Sequence, residues 1–121
     1  VEHQKYFLEV RKMSKLYFIE TNGGFMTVAT SDDGRACYMR QDGHEDGYPD
    51  TDPRWAEADA QERETIAEKW LRSIAEWNSF DDLYANCDID IQNGFCGVYT
   101  AEDFSADLEN GSDEITASID F

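Results

Sequence analysis

The chain predicts an α+β domain: an antiparallel sheet of roughly five to seven strands, one long helix packed on a face, and a short acidic helix near the C-terminus. Three observations point there. Short β-prone segments in the first third are separated by Asn-Gly and Asp-Gly turns, and one apolar stripe at helical spacing runs through the middle. The last eight residues then alternate polar and apolar at every position. A length of 121 residues fits one domain over 1–121.

In chain order, Lys5–Val10 reads as a strand. Leu16–Glu20 and Phe25–Thr30 flank Thr21-Asn22-Gly23-Gly24, whose Asn-Gly pair readily takes the positive φ of a hairpin turn. Ser31-Asp32-Asp33-Gly34 repeats the device before Ala36–Arg40, which completes a β-meander. Gln41 to Arg54 is a polar loop. A long helix is expected from about Trp55 to Trp77, with Ile66, Trp70, Ile74 and Trp77 on its apolar line and Ala67 and Leu71 widening the stripe. The same wheel puts Asp59 and Arg63 on that line as a self-satisfying i,i+4 pair, so the first half of the helix is expected to overhang the core. Glu68 and Arg72 form a second pair.

Ser79-Phe80-Asp81-Asp82 starts a short turn through Leu83 and Tyr84. Asp88-Ile89-Asp90-Ile91 alternates like a strand, and Asn93-Gly94 turns it into Phe95–Thr100 as a second hairpin. Thr100 caps a short helix, Ala101–Glu109, with Phe104 and Leu108 inward, and Asn110-Gly111 ends it. Glu114–Phe121 reads as a strand buried on one face, with Ile115, Ala117, Ile119 and Phe121 inside.

Charge is the second theme. The net charge is −17, and it is patterned: residues 1–12 sum to +1, 13–41 to zero, 42–72 to −6 and 73–121 to −12. No Lys or Arg follows Arg72, while twelve carboxylates do. Three Trp, six Tyr and seven Phe argue against disorder, since each ring buries a large area. Direct binding to nucleic-acid phosphates or to an anionic membrane is excluded by sign, which leaves basic protein surfaces and cations as partners. Three cysteines without framework spacing read as reduced thiols in a cytoplasmic setting, and no apolar run reaches the length of a membrane span. Residues 1–12, ahead of Met13, read either as an alternative-start extension or as a non-native one.

Alternation names Asp88, Asp90, Glu114 and Asp120 as outward carboxylates and helical phase adds Asp103 and Asp107; Glu102 and Asp113 are grouped with them. Asp103 and Asp107 are a like-charged i,i+4 pair with no basic neighbour, at a cost of a few tenths of a kcal/mol, about 0.3. These residues are the expected partner-binding set, a carboxylate array that mimics phosphates and blocks a basic nucleic-acid-binding surface. In charge and size the chain resembles acidic nucleic-acid mimics, including phage and mobile-element inhibitors of restriction or CRISPR nucleases. That resemblance is one of composition. A solvated face that only confers solubility is the plain alternative.

Other chemistry is weaker. Asp42, Glu45, Asp46, Asp50 and Asp52 crowd one loop as weak cation candidates, but their spacing fails the EF-hand pattern. His3, His44 and the separated cysteines show no zinc spacing, so no metal and no cofactor are expected. A Cys96–His44 pair is a poorer account of Cys96 than a buried structural thiol, and the protein is not expected to be an enzyme. Tyr48 and Trp55 stand at the loop–helix junction as candidate interface anchors. They serve the rival reading of an interaction module that uses apolar contacts of the long helix.

The unrelieved repulsion makes a direct prediction. Screening acts over about 8 Å at physiological ionic strength, so the melting temperature is expected to be higher in concentrated than in dilute NaCl. A flat or falling salt series would show that local ion pairs outweigh net repulsion.

Overall fold

A computed structural model of the chain describes residues 13–22, 24–41, 48–89, 96–111 and 113–121. The expected strand Lys5–Val10 lies outside them. The described elements are β1 (Ser14–Thr21), β2 (Gly24–Ser31), β3 (Arg35–Gln41), α1 (Ala60–Trp77), α2 (Phe80–Ile89), β4 (Cys96–Thr100), α3 (Ala101–Asn110) and β5 (Glu114–Asp120). Single 3₁₀ turns at Pro49–Thr51 and Trp55–Glu57 precede α1. The five strands form one antiparallel sheet in the order β4-β3-β2-β1-β5. The α+β class therefore holds, with five strands and three α-helices among the described residues.

The meander β1–β3 forms as expected, although Asn22 does not take the positive φ expected of an Asn-Gly turn. Thr21 pairs with Gly24, and Gly34 takes a φ of 93° while its N–H donates to the Ser31 carbonyl at 3.1 Å. Strand alternation then splits the side chains between two faces. Leu16, Phe18, Ala29, Cys37 and Ala117 pack under α1 and α2 with Tyr48, Trp55, Ile66, Leu71, Phe80 and Leu83. Ile19 and Val28 face the other way and pack with Phe104 of α3, among Tyr17, Met26, Tyr38, Tyr99 and Leu108.

Helix α1 starts later than periodicity suggested. Asp59 is its N-cap, its side chain accepting the Glu62 N–H at 2.8 Å, so Asp59 does not pair with Arg63. Arg63 instead stacks on Trp55 at 4.9 Å and pairs with Glu20 of β1 at 3.1 Å. Glu68 and Arg72 pair as expected, at 3.6 Å. Ile66, Ala67 and Leu71 are buried, but Trp77 is 80% exposed, because the helix runs on past its cover at the C-terminal end.

The expected strand at Asp88–Ile91 is corrected. Asp88 and Ile89 close α2, and residues 90–95, with the expected turn, lie outside the described residues. Phe80, Leu83, Tyr84 and Cys87 have helical spacing, and this longer pattern overrides a four-residue alternation. The start is fixed by a reciprocal cap: Ser79 N–H donates to Asp82 Oδ2 (2.9 Å) and Asp82 N–H donates to Ser79 Oγ (3.2 Å).

β4 runs directly into α3, with Thr100 Oγ1 accepting the Asp103 N–H at 3.0 Å, and Gly111 closes the helix through the Asp107 carbonyl. As α3 lies in the connection between the two edge strands, it spans the second face of the sheet.

β5 departs from strict alternation. Phe18 pairs with Ala117 but Ile19 pairs with Ile115, so Thr116 is an extra residue and the strand bulges there. Ala117, Ile119 and Phe121 pack inward as expected, whereas Ile115 turns to the other face and is 46% exposed. Glu114 comes to stand opposite Glu20.

Gly97 makes room for Tyr38. A Cβ there would meet the Tyr38 hydroxyl at 2.6 Å, and the ring cannot swing freely because it packs edge-to-face on Tyr99 at 5.3 Å. Gly97→Ala is expected to cost about 1–2 kcal/mol in urea denaturation. In a Tyr38→Ala background that cost should vanish.

Candidate functional site

Among the described residues α3 carries the densest charge without ion pairs. Phe104 is buried and Leu108 half-buried, which turns Glu102, Asp103, Asp107 and Glu109 to solvent. None of the four forms an ion pair among the described residues. Asp113, half-buried, follows the helix.

The rest of the expected array is dispersed. Asp88 is exposed on α2, across the sheet from α3, and Asp90 lies outside the described residues. Glu114 sits at the far edge, in a depression with Glu20, Glu64 and Arg63. Asp120 is 3.6 Å from Lys15 on the neighbouring strand. Strand pairing thus partly neutralises one expected residue and separates others, and the array that remains together is that of α3.

The other candidates fare differently. Tyr48 and Trp55 are only 1% and 7% exposed. They are core residues around Phe18, at 5.8 and 6.1 Å between ring centroids, rather than surface anchors. In the acidic loop Asp42, Glu45 and Asp46 lie outside the described residues, as does His44. Asp50 is half-buried, and Asp52 is held by Arg54, whose hydrogen bonds bring the carboxyl down to about 2. No group of three His, Cys, Asp or Glu side chains that could hold a metal ion occurs among the described residues. No described helix is long and apolar enough to cross a membrane.

Two features were not anticipated. Beneath the C-terminal half of α3 lies a cleft of about 450 Å³, lined by Met26, Tyr38, Arg40, Tyr99, Phe104 and Asp107 among others. Arg40 stands over the Tyr38 ring at 5.6 Å and has no carboxylate partner among the described residues. The Tyr99 hydroxyl is buried there without a hydrogen-bond partner among the described residues, and burial, then the Asp107 charge, pushes its pKa well above the usual tyrosine value. The second is a broad depression at the opposite end of the sheet, where Trp77 overhangs Phe80, Ile119 and Phe121 beside Arg35 and Arg72. Tyr38, Arg40 and Tyr99 occupy alternating positions on two predicted strands, a signal that a sequence offers only once the strands are known to be neighbours.

Comparison with protein-family models, with curated proteins and with solved structures returns no match.

Tyr99 makes the stability testable by pH. Its folded pKa lies above the unfolded value, so its contribution is fully present below about pH 10 and fades as the pH rises further. Tyr99→Phe removes a buried hydroxyl that lacks a partner. It is expected to be neutral or stabilising by up to about 1 kcal/mol at neutral pH. The variant should also lose less stability than the parent between about pH 10 and 12, as followed by urea denaturation.

Proposed function

We propose that the protein is a non-enzymatic acidic binding protein that presents α3 to a basic surface of a nucleic-acid-binding protein and stands in for phosphates there. The observation that carries this reading is the set Glu102, Asp103, Asp107 and Glu109, exposed together on a helix anchored by Phe104. Ten residues of helix extend about 15 Å, so these four charges fall about one per 3.8 Å, close to the ~3.4 Å per charge of one DNA strand. Such a charge density costs repulsion in the free protein, and a cationic groove would relieve it. This is the anti-restriction or anti-CRISPR manner of inhibition, and it needs no catalytic group.

A second reading has its own support. Trp77, exposed above Ile119 and Phe121, is the kind of side chain that dominates apolar protein interfaces. An interaction module built on that end of α1 would bind with little dependence on salt.

The two readings separate in one experiment. A partner captured from the native host at low salt should be released by a salt step and displaced by added duplex DNA. A variant carrying Glu102→Gln, Asp103→Asn, Asp107→Asn and Glu109→Gln should fold with neutral to slightly raised stability, lose affinity about tenfold or more and show a shallower salt dependence. Trp77→Ala should leave capture intact. Loss of capture in Trp77→Ala, with retention in the four-residue variant, would establish the apolar module and leave α3 a solvated surface.

A further inference from the structure

Cys37, Cys87 and Cys96, separated in the sequence, meet at one place in the fold. On β3 and β4, Cys37 pairs with Val98 and Met39 with Cys96, so the two thiols are diagonal neighbours on the same face of the sheet. α2 lays Cys87 over both. Its Sγ reaches the Tyr38 carbonyl at 3.6 Å, between the strand positions of the other two, and lies close enough to the sulfurs of Cys37 and Cys96 for both to act on its proton. The three differ in access: Cys37 and Cys87 are buried, while Cys96 is half-buried at the start of an edge strand.

We propose that Cys96 and Cys87 form an oxidation site, at which hydrogen peroxide oxidises Cys96 and Cys87 resolves the product into a disulfide that ties α2 to the edge strand β4. In the first step the Cys96 thiolate attacks a peroxide oxygen. An S–O bond forms, the O–O bond breaks, and the hydroxide released takes up a proton to become water; the sulfur gives up two electrons to the peroxide. In the second step the Cys87 sulfur attacks that of Cys96. The S–S bond forms, the S–O bond breaks, and the leaving hydroxide becomes water with the proton that Cys87 gives up. Two thiols and one peroxide thus yield a disulfide and two waters.

The third cysteine has a part in this. The neighbouring Cys37 sulfur, together with burial, holds the Cys87 proton and raises its pKa well above the usual thiol value, and the same interaction lowers that of Cys37. Cys87 is therefore inert toward an oxidant from solvent, and Cys37 is placed to relay its proton to the leaving hydroxide once Cys96 is oxidised. The proposal is independent of what α3 binds.

Trypsin reads the outcome because no Lys or Arg follows Arg72. Cys87 and Cys96 share fragment 73–121, which holds no methionine, and Cys37 lies in fragment 36–40. Intact folded protein is treated with hydrogen peroxide, its remaining thiols are alkylated, and the digest is weighed. The expected result is a fall from three alkylated cysteines to one, with fragment 73–121 lighter by two hydrogens and Cys37 alkylated. Cys87→Ser should leave Cys96 as a sulfenic acid that dimedone traps, and Cys96→Ser should slow oxidation about tenfold or more. Three alkylated cysteines after treatment, a bridge joining fragment 36–40 to 73–121, or an unchanged rate in a folded Cys96→Ser variant would overturn the assignment. The mapping of the unsubstituted chain decides the matter even if a variant fails to fold.

Discussion

The packing of aromatic rings around Phe18 is the interaction on which the rest of the structure depends. Phe18 lies at the centre of β1 and meets Phe25 at 5.4 Å, Tyr48 at 5.8 Å and Trp55 at 6.1 Å, and Tyr48 in turn meets Trp70 of α1 at 4.9 Å. One cluster thereby joins two strands, the segment leading into α1, and α1 itself. Contacts of this kind add about 0.5–1.5 kcal/mol each beyond the area they bury. In a chain this acidic they supply an attraction that neither pH nor salt can remove, and they hold α1 across the sheet while its surface carboxylates repel.

Once that core is closed, the few cations become joints of the fold. Arg35 is the clearest case: it lies over the rings of Phe80 and Tyr84 at 5.0 Å and pairs with Asp33 at 2.8 Å and Asp81 at 3.0 Å. It pins the start of α2 to the turn before β3, and its hydrogen bonds hold Asp33 far below the usual carboxylate range. Arg63 joins α1 to β1 through Glu20, which also accepts from Thr116 at 2.7 Å at the bulge in β5. Exposed pairs contribute little energy singly, but these join separate elements and decide which carboxylates remain unrelieved. Among the described residues these paired cations lie on α1 or on the strands and turns beside it, and Arg40, unpaired with any described carboxylate, lies in the cleft beneath α3. α3, on the other face, follows a stretch with no basic residue and has none within its own length.

The bare acidic helix and the thiol cluster are thus two products of one topology. The chain covers one face of the sheet with α1 and α2 and then crosses the other with α3 to reach the far edge. The first layer brings Cys87 down onto Cys37 and Cys96. The second leaves a ten-residue helix held by Phe104 and Leu108, with the carboxylates of its outer surface forming no ion pair among the described residues.

What the sequence alone determined is what neighbouring residues decide. The meander, the cap at Thr100, the stop at Gly111 and the buried stripe of α1 each rest on local dihedral preference or on a period sustained over several turns. The outward direction of Asp103 and Asp107 followed from the same logic, because Phe104 and Leu108 set the phase of that helix. Tertiary structure decided the rest. A four-residue alternation at Asp88–Ile91 could not compete with the helical spacing of Phe80, Leu83, Tyr84 and Cys87 once that face had a sheet to cover. A single extra residue, Thr116, shifted the pairing of β5 and reversed the faces of Ile115 and Glu114, since strand periodicity passes every error of one residue to all that follow. Whether Asp120 finds Lys15, or Cys87 finds Cys37, depends on which strands lie side by side. That order is set by long-range burial, which no local pattern encodes.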